Sequence, residues 1–309
     1  MVRPPPGKSS RIKSCYGASA MSTSEPLIRN ISDTARWVAM YRARETERAD
    51  PLFRDPFARR LAGTRGEEIA AVIQKRMKQS WPLVLRTYLF DSLIAEHLRQ
   101  GGDMVLSLAA GLDARPYRMG LPQSLPWVEV DLPEILDYKE SVLAGEKPRC
   151  ELRRVRLDLS DVGARRALFA ELGRQAKTAL VVTEGLLIYL TPEQVGSLAD
   201  DLASVPGFRR WAVDIASPGL RKMLTKQIGG LLADANAPLH FSPEEGPEFF
   251  TSHGWRPTEV RSMLKWAGKK GRLNPFFRLL SLLPDPKGRL GDRPWGAVCL
   301  LERQDSPSR

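Results

Sequence analysis

The chain has little of what usually marks a metal or nucleophile site. Its 309 residues hold three cysteines, Cys15, Cys150 and Cys299, and three histidines, His97, His240 and His253. The cysteines have neither metal-ligand nor disulfide spacing, and the histidines form no ligand cluster, so each histidine reads as a surface or packing residue and a metal-free mechanism in a reducing cytoplasm is expected. No apolar run approaches the roughly eighteen residues of a membrane helix. Residues 1–20 lack the apolar stretch of a signal peptide; they carry Pro4-Pro5-Pro6 and four basic residues with no acid. Such a composition cannot build a core. A disordered basic extension is therefore expected over 1–29 and a single domain over 30–309. The segment from Met21 looks like a natural N-terminus, so the extension is expected to reflect an early start. No internal repeat is visible. What is abundant is core-forming residues: 42% of the chain is hydrophobic, enough for one large α/β core.

The most informative stretch is 104–139. Met104 to Leu108 reads as a buried strand running into a turn of small residues, Ala109, Ala110 and Gly111, where backbone N–H groups can approach a ligand. Trp127 to Val130 reads as a second strand ending on Asp131, twenty residues after Gly111. In a doubly wound sheet, an acid at that tip can accept both hydroxyls of a ribose. Three glycines would be needed to admit a pyrophosphate, and only one is present. That counts against a nicotinamide dinucleotide, which stays as the least favoured reading, and favours a nucleoside cofactor without phosphate, S-adenosylmethionine.

Two further acids lie on the same side of such a sheet. Glu151 to Leu157 reads as a third strand with Asp158, Leu159, Ser160 and Asp161 at its tip. Asp158 either holds the adenine amine or caps the helix that begins near Val162, while Ser160 and Asp161 read as caps. Ala179 to Thr183 is the most apolar strand and meets Glu184-Gly185-Leu186-Leu187-Ile188-Tyr189 without a polar loop. A carboxylate inside that run must be paired, with a cofactor ammonium or with an internal arginine. Tyr189 falls near the site mouth. Thr191-Pro192-Glu193-Gln194 begins the next helix.

The segments Thr34–Ala43, Leu52–Ala58, Arg86–Asp91, Ala110–Arg115, Val128–Glu134 and Thr183–Leu190 resemble the leucine carboxyl methyltransferase family, and within it an actinobacterial branch of S-adenosylmethionine-dependent methyltransferases. The resemblance spans roughly 30–302 with motif order kept. It implies a class I methyltransferase fold, a Rossmann-like, mostly parallel sheet with helices on both faces. It also implies cofactor contacts at Asp131 for the ribose, at Asp158 and Leu159 for adenine, and at Glu184 for the methionine part. Arg86 would pair with the cofactor carboxylate. Ala109 stands where the family usually has glycine. A modest loss of cofactor affinity is expected, because alanine fits any position outside the left-handed region; a positive φ would call cofactor binding itself into question.

The later chain completes the plan. Arg210 to Ile215 reads as a fifth strand, with Asp214 at its end. Gly254 to Val260 reads as a turn and strand, and Trp295 to Leu301 as a late strand tucked into the sheet. The helical region 33–97 and an insertion at about 216–250 are expected to cover the methyl group. A net charge of +11 raises a rival partner, nucleic acid or an anionic membrane, because Lys265, Lys269, Lys270, Arg272 and Arg278 interleave with Trp266, Phe276 and Phe277. The alternative is a solvated basic face with its aromatics turned inward. No Asn-Pro-Pro-Tyr or Asp-Pro-Pro-Tyr run occurs to present a flipped base, so a small-molecule acceptor is expected rather than nucleic acid. A carboxylate acceptor would need no base; Arg36, Arg42 or Tyr189 would orient it, by their places in the motifs. A phenolic acceptor would want a general base. A catalytically silent binding protein on the same fold is the competing reading. The oligomeric state is not legible.

Overall fold

The computed structural model describes Ile28 and residues 31–77, 79–234, 237–286 and 288–304. The extension expected over 1–29 therefore lies, apart from Ile28, outside the described residues. Three helices come first, α1 (Ile31–Thr46), α2 (Ala58–Arg76) and α3 (Trp81–Arg99). Strands and helices then alternate: β1 (Met104–Leu108), α4 (Arg115–Arg118), β2 (Pro126–Asp131), α5 (Pro133–Val142), β3 (Glu151–Arg156), α6 (Val162–Gly173), β4 (Ala179–Thr183), α7 (Pro192–Ala203), β5 (Phe208–Ala216) and α8 (Pro218–Asp234). The last elements are β6 (Trp255–Ser262), α9 (Met263–Lys269), α10 (Pro275–Leu280) and β7 (Gly296–Arg303), with short 3-10 segments at Leu187–Tyr189 and Gly246–His253.

The seven strands form one sheet in the order β3-β2-β1-β4-β5-β7-β6. β1 to β5 are mutually parallel, and β7 inserts antiparallel between β5 and β6. Strand periodicity explains why both faces are dry. In β4, Ala179 and Val181 enter one hydrophobic cluster while Leu180 and Val182 enter another on the opposite face. Met104, Leu106 and Leu108 of β1 likewise face α6 and α7, and Val105 faces α3. A third cluster joins α1 and α2 to α5 and α8.

Helix starts follow the local chemistry. Asp161, not Ser160 or Asp158, caps α6 by accepting the Ala164 N–H. Thr191 and Gln194 form a reciprocal capping box at α7. The strand order reverses between β1 and β4, and in such sheets the crevice beyond the strand carboxyl ends there is where ligands sit.

Candidate functional site

A cavity of about 740 Å³ opens at those strand ends. Ser107, Ala109, Gly111 and Asp131 line its floor; Arg86 and Thr87 of α3, Glu184 and Asp214 line one side; Met223, Ile228 and Leu232 of α8 and Phe277 and Leu280 of α10 close the other.

The β1 turn is built differently from its sequence reading. Ala109 has φ +51°, so the expectation of negative φ fails. A Cβ in the left-handed region crowds the following carbonyl and costs about 1–2 kcal/mol. The turn's N–H groups are also already engaged. Gly111 N–H donates to Asp131 Oδ2 at 2.6 Å, Leu132 N–H to Asp131 Oδ1 at 2.8 Å, and Ala110 N–H to the Val130 carbonyl at 3.2 Å. Parallel pairing of Leu108 with Val130 puts the turn beside Asp131, and these bonds fix that carboxylate at the cavity floor. Each oxygen keeps a lone pair for a further donor. Burial is the main influence on Asp131 and raises its pKa, while the two N–H groups pull it back.

Glu184 meets internal arginines, one of the two partners left open for it. Its Oε2 lies 2.8 Å from Arg115 Nη2, and its Oε1 lies 3.2 Å from Arg86 Nε. Asp214 stands across from it because Thr183 pairs with Val213. Arg86 Nη1 donates to Asp214 Oδ2 at 3.3 Å, and Gly185 N–H donates to Asp214 Oδ1 at 2.7 Å. Gly185 is required here: its φ is +72°, and a Cβ would stand 2.9 Å from Arg86 Nη1. Arg86, expected to pair with a cofactor carboxylate, thus bridges two protein carboxylates through Nε and Nη1.

The network continues through Arg115, which reaches Asp91 at 2.6 Å and Asp113 at 2.9 Å. Arg118 pairs with Asp91 at 2.7 Å, and Arg42 with Asp55 at 2.8 Å. Four guanidinium groups thus face five carboxylates, Asp55, Asp91, Asp113, Glu184 and Asp214. Burial raises the Asp113 pKa, but Arg115, Lys139 and Arg118 outweigh it and hold the carboxyl at about 2. Asp91 is lowered in the same way by Arg118 and Arg115. At Asp214 burial prevails over Arg86 and the pKa is raised.

Three sequence candidates stand apart from the cavity. Arg36 lies over the Tyr138 ring, 3.6 Å from its centre, and approaches Asp33; it is not among the lining residues. Asp158 is exposed and accepts its own turn's Ser160 N–H at 2.8 Å. The Leu159 carbonyl accepts Arg165 Nη1, and neither Asp158 nor Leu159 lines the cavity. Arg42 does line it, but its Nη2 is held by the Leu112 carbonyl at 2.6 Å and its Nε by Asp55. It clamps α1 to the β1–α4 loop. Tyr189 lines the cavity and is hydrogen-bonded to Thr34. Burial raises its pKa, so the hydroxyl stays protonated. Asp91, Asp113, Arg115 and Asp214 were not singled out as site residues. The signal for Asp214 was its place at a strand end facing Glu184, and the others sit in the quoted segments Arg86–Asp91 and Ala110–Arg115.

Among the described residues there is no group of three or more His, Cys, Asp or Glu placed to hold a metal, and no helix long and apolar enough to cross a membrane. Of the basic and aromatic mixture at 265–278, Trp266 is half-buried with Lys269 over its ring at 4.9 Å, while Phe276 points outward and is 66% exposed. The reading with all aromatics turned inward fails at Phe276.

Comparison with known proteins agrees with this architecture. Residues 35–203 match the family model for leucine carboxyl methyltransferase. A protein of Parafrankia sp., named "Putative S-adenosyl-L-methionine-dependent methyltransferase", is 33% identical over 248 residues, 75% of this chain and 79% of its own. A Mycobacteroides abscessus protein of the same name is 30% identical over 279 residues, covering 81% of this chain and 90% of its own. The crystal structure of a DUF574 family protein from Streptomyces avermitilis shares the fold, with a TM-score of 0.57 at 14% identity over 88% of this chain and 97% of that one. With the family's model matched over more than half its length and relatives at 30% identity or better over three quarters of it, the chain belongs to the leucine carboxyl methyltransferase family.

Proposed function

We propose that this enzyme, an S-adenosylmethionine-dependent methyltransferase, methylates a carboxylate oxygen of a largely apolar small molecule. The observation that carries this reading is the joining of an acid-tipped floor to an apolar cavity whose titratable groups are already partnered. Asp131 suits the ribose hydroxyls. The network around Glu184 and Asp214 has one carboxylate more than it has guanidinium groups, which complements a cofactor with one more positive charge than negative. When bound, S-adenosylmethionine supplies a methyl group on a sulfonium, open to in-line attack. Glu184 would meet the methionine ammonium beside Arg115, and Arg86 Nη2 would face the methionine carboxylate.

The choice of a carboxylate over a hydroxyl follows from the acids present. No histidine is among the described residues lining the cavity, and Asp113, Asp131, Glu184 and Asp214 each hold guanidinium or backbone N–H partners. An acceptor that arrives ionised needs no base from this set. The protein's task is then alignment, which can remove about 7–11 kcal/mol of entropic barrier. In this reading residues 30–309 act as one domain, with α1 to α3 and the 216–250 insertion covering the transferred methyl. Exclusion of water there sharpens every charge interaction.

The test is calorimetric titration with S-adenosylmethionine and S-adenosylhomocysteine on the full chain and on Asp131→Ala. Micromolar binding, weakened by tenfold or more in the variant, about 1.4 kcal/mol, is expected. Unaltered affinity in Asp131→Ala would remove the ribose assignment. Methyl transfer to carboxylic acids of graded chain length, compared with their alcohols, then tests the acceptor.

A further inference from the structure

The stretch from Phe276 to Leu283 has two apolar sides. Phe277, Leu280 and Leu283 line the cavity. Phe276, Leu279 and Leu282 are 66, 68 and 77% exposed. Both sets recur every three residues, the spacing that divides one helical turn into an inner and an outer stripe. Scattered exposed leucines are ordinary on a protein surface, but a contiguous stripe is not. Among the described residues, the other exposed large hydrophobic side chains are Leu283, which extends the outer stripe at the end of the stretch while also lining the cavity, and Val162, Met223 and Val260, which lie elsewhere in the chain.

Charge supplies the second observation. Residues 263–295 contain eight Lys and Arg against two Asp, a net +6 within a chain whose total is +11. More than half of the net positive charge therefore sits in the same 33 residues as the outward stripe. Lys269 and Arg278 are exposed within it.

From these features we infer that the 276–283 stretch docks on an anionic lipid surface, with Phe276, Leu279 and Leu282 entering the headgroup boundary and the exposed Lys269 and Arg278 meeting lipid phosphates, whereas Lys265, Arg272 and Arg289 are already paired with Asp285, with Glu45 and Asp50, and with Glu244. Interfacial segments combine these elements, an apolar stripe for insertion and basic residues for attraction. A second copy of the chain fits less well. Eight residues fall far short of the roughly 20–30 per side of a stable interface, and two faces of the same positive sign would repel. Nucleic acid fits less well because two of the three outward side chains are leucines, which cannot stack on bases as aromatics do. Since the inner stripe of the same stretch lines the cavity, a lipid-borne acceptor would pass from bilayer to site along one continuous apolar wall. That last consequence rests on the methyl-transfer reading; the docking does not.

The test is flotation of the full chain with vesicles of phosphatidylcholine and with an equimolar mixture of phosphatidylcholine and phosphatidylglycerol. Binding to the mixed vesicles is expected, falling with added salt, and reduced about tenfold or more in Phe276→Ser/Leu279→Ser/Leu282→Ser. None of these three lines the cavity, so unchanged S-adenosylhomocysteine affinity and melting temperature report an intact fold. If the triple variant does not fold, Lys269→Glu/Arg278→Glu replaces it and should lose the preference for phosphatidylglycerol. Absence of binding to either vesicle would overturn the proposal. So would binding indifferent to both variants, a light-scattering dimer that the triple variant converts to monomer, or salt-sensitive binding of a single-stranded oligonucleotide with no vesicle binding.

Discussion

Replacing Ala109 by glycine should stabilise this protein, although glycine is normally the less stable choice. The backbone there is left-handed, with φ +51°, and an L side chain in that region costs about 1–2 kcal/mol. Glycine removes this cost but enlarges the freedom of the unfolded chain, a penalty of about 0.5–1 kcal/mol. The difference leaves a gain of up to about 1.5 kcal/mol, or a rise in melting temperature of up to about 2 °C for a chain of this size. Ala110 is the internal control. It is buried, and its φ is not in the positive range, so Ala110→Gly should destabilise by about 0.5–1 kcal/mol. Differential scanning calorimetry of both variants decides the matter by sign. A fall in melting temperature for Ala109→Gly, parallel to that of Ala110→Gly, would refute the argument that strain dominates at 109. Titration with S-adenosylhomocysteine adds a second reading: Ala109→Gly should bind at least as well as the parent, since the removed methyl lines the cavity.

Three other outcomes follow from buried charges. Lys139 and Arg154 both pair with the buried Glu129, at 2.7 and 2.9 Å, so Lys139→Met, which leaves Arg154 as the remaining partner, should lower stability in thermal melts by less than the about 3–5 kcal/mol of an uncompensated buried charge, and Glu129→Leu, which strips both cations of their partner, should cost more. His97 is 2% exposed, and burial together with Arg210 lowers its pKa to about 4. Above pH 6.5 the ring is neutral in both states, whereas between 6.5 and 4 only the unfolded chain takes the proton. Stability should therefore fall by about 3 kcal/mol over that window, and His97→Gln should flatten this part of the urea-derived profile. Asp113, held at about 2, acts in the same direction at still lower pH. Its stabilisation is complete above pH 4 and lost as pH falls toward 2, and Asp113→Asn should abolish that final acid loss in the same assay.

The legible parts of this fold were those set by local pattern. Apolar runs located β1, β2 and β4 to within a residue or two, and Thr191-Pro192 located α7. Asp131 could be assigned to a strand tip because a strand's end and a ligand crevice coincide in doubly wound sheets. What escaped depended on contacts between distant segments or on dihedral angles. Glu184 was legible as a buried acid needing a partner, but Arg86 stands 98 positions away and Arg115 is fixed by a different loop. Nothing in the string Ala-Ala-Gly reveals that Ala109 as well as Gly111 turns left-handed. Asp158 and Asp161 are both acids before α6, and only backbone geometry selects Asp161 as the cap. Phe276 and Phe277 are adjacent in sequence yet face opposite ways, a distinction that depends on where one short helix rests against the cavity.

Arg86 is the residue on which the proposed site depends most. It bridges Glu184 and Asp214 with Nε and Nη1, and without it the two carboxylates would face and repel each other across adjacent strand ends. A purely structural Arg86 would therefore affect everything bound nearby. An Arg86 that also presents Nη2 to a cofactor carboxylate would affect only ligands that possess one. Arg86→Gln separates the two roles, because glutamine still hydrogen-bonds Glu184 while losing the charge. S-adenosylhomocysteine affinity should fall by tenfold or more, about 1.4 kcal/mol, whereas 5′-methylthioadenosine, which keeps the nucleoside but lacks the amino-acid moiety, should bind nearly as before. Equal losses for the two ligands, accompanied by a lower melting temperature, would make Arg86 a strut between β4 and β5 and leave the methionine carboxylate to another cation.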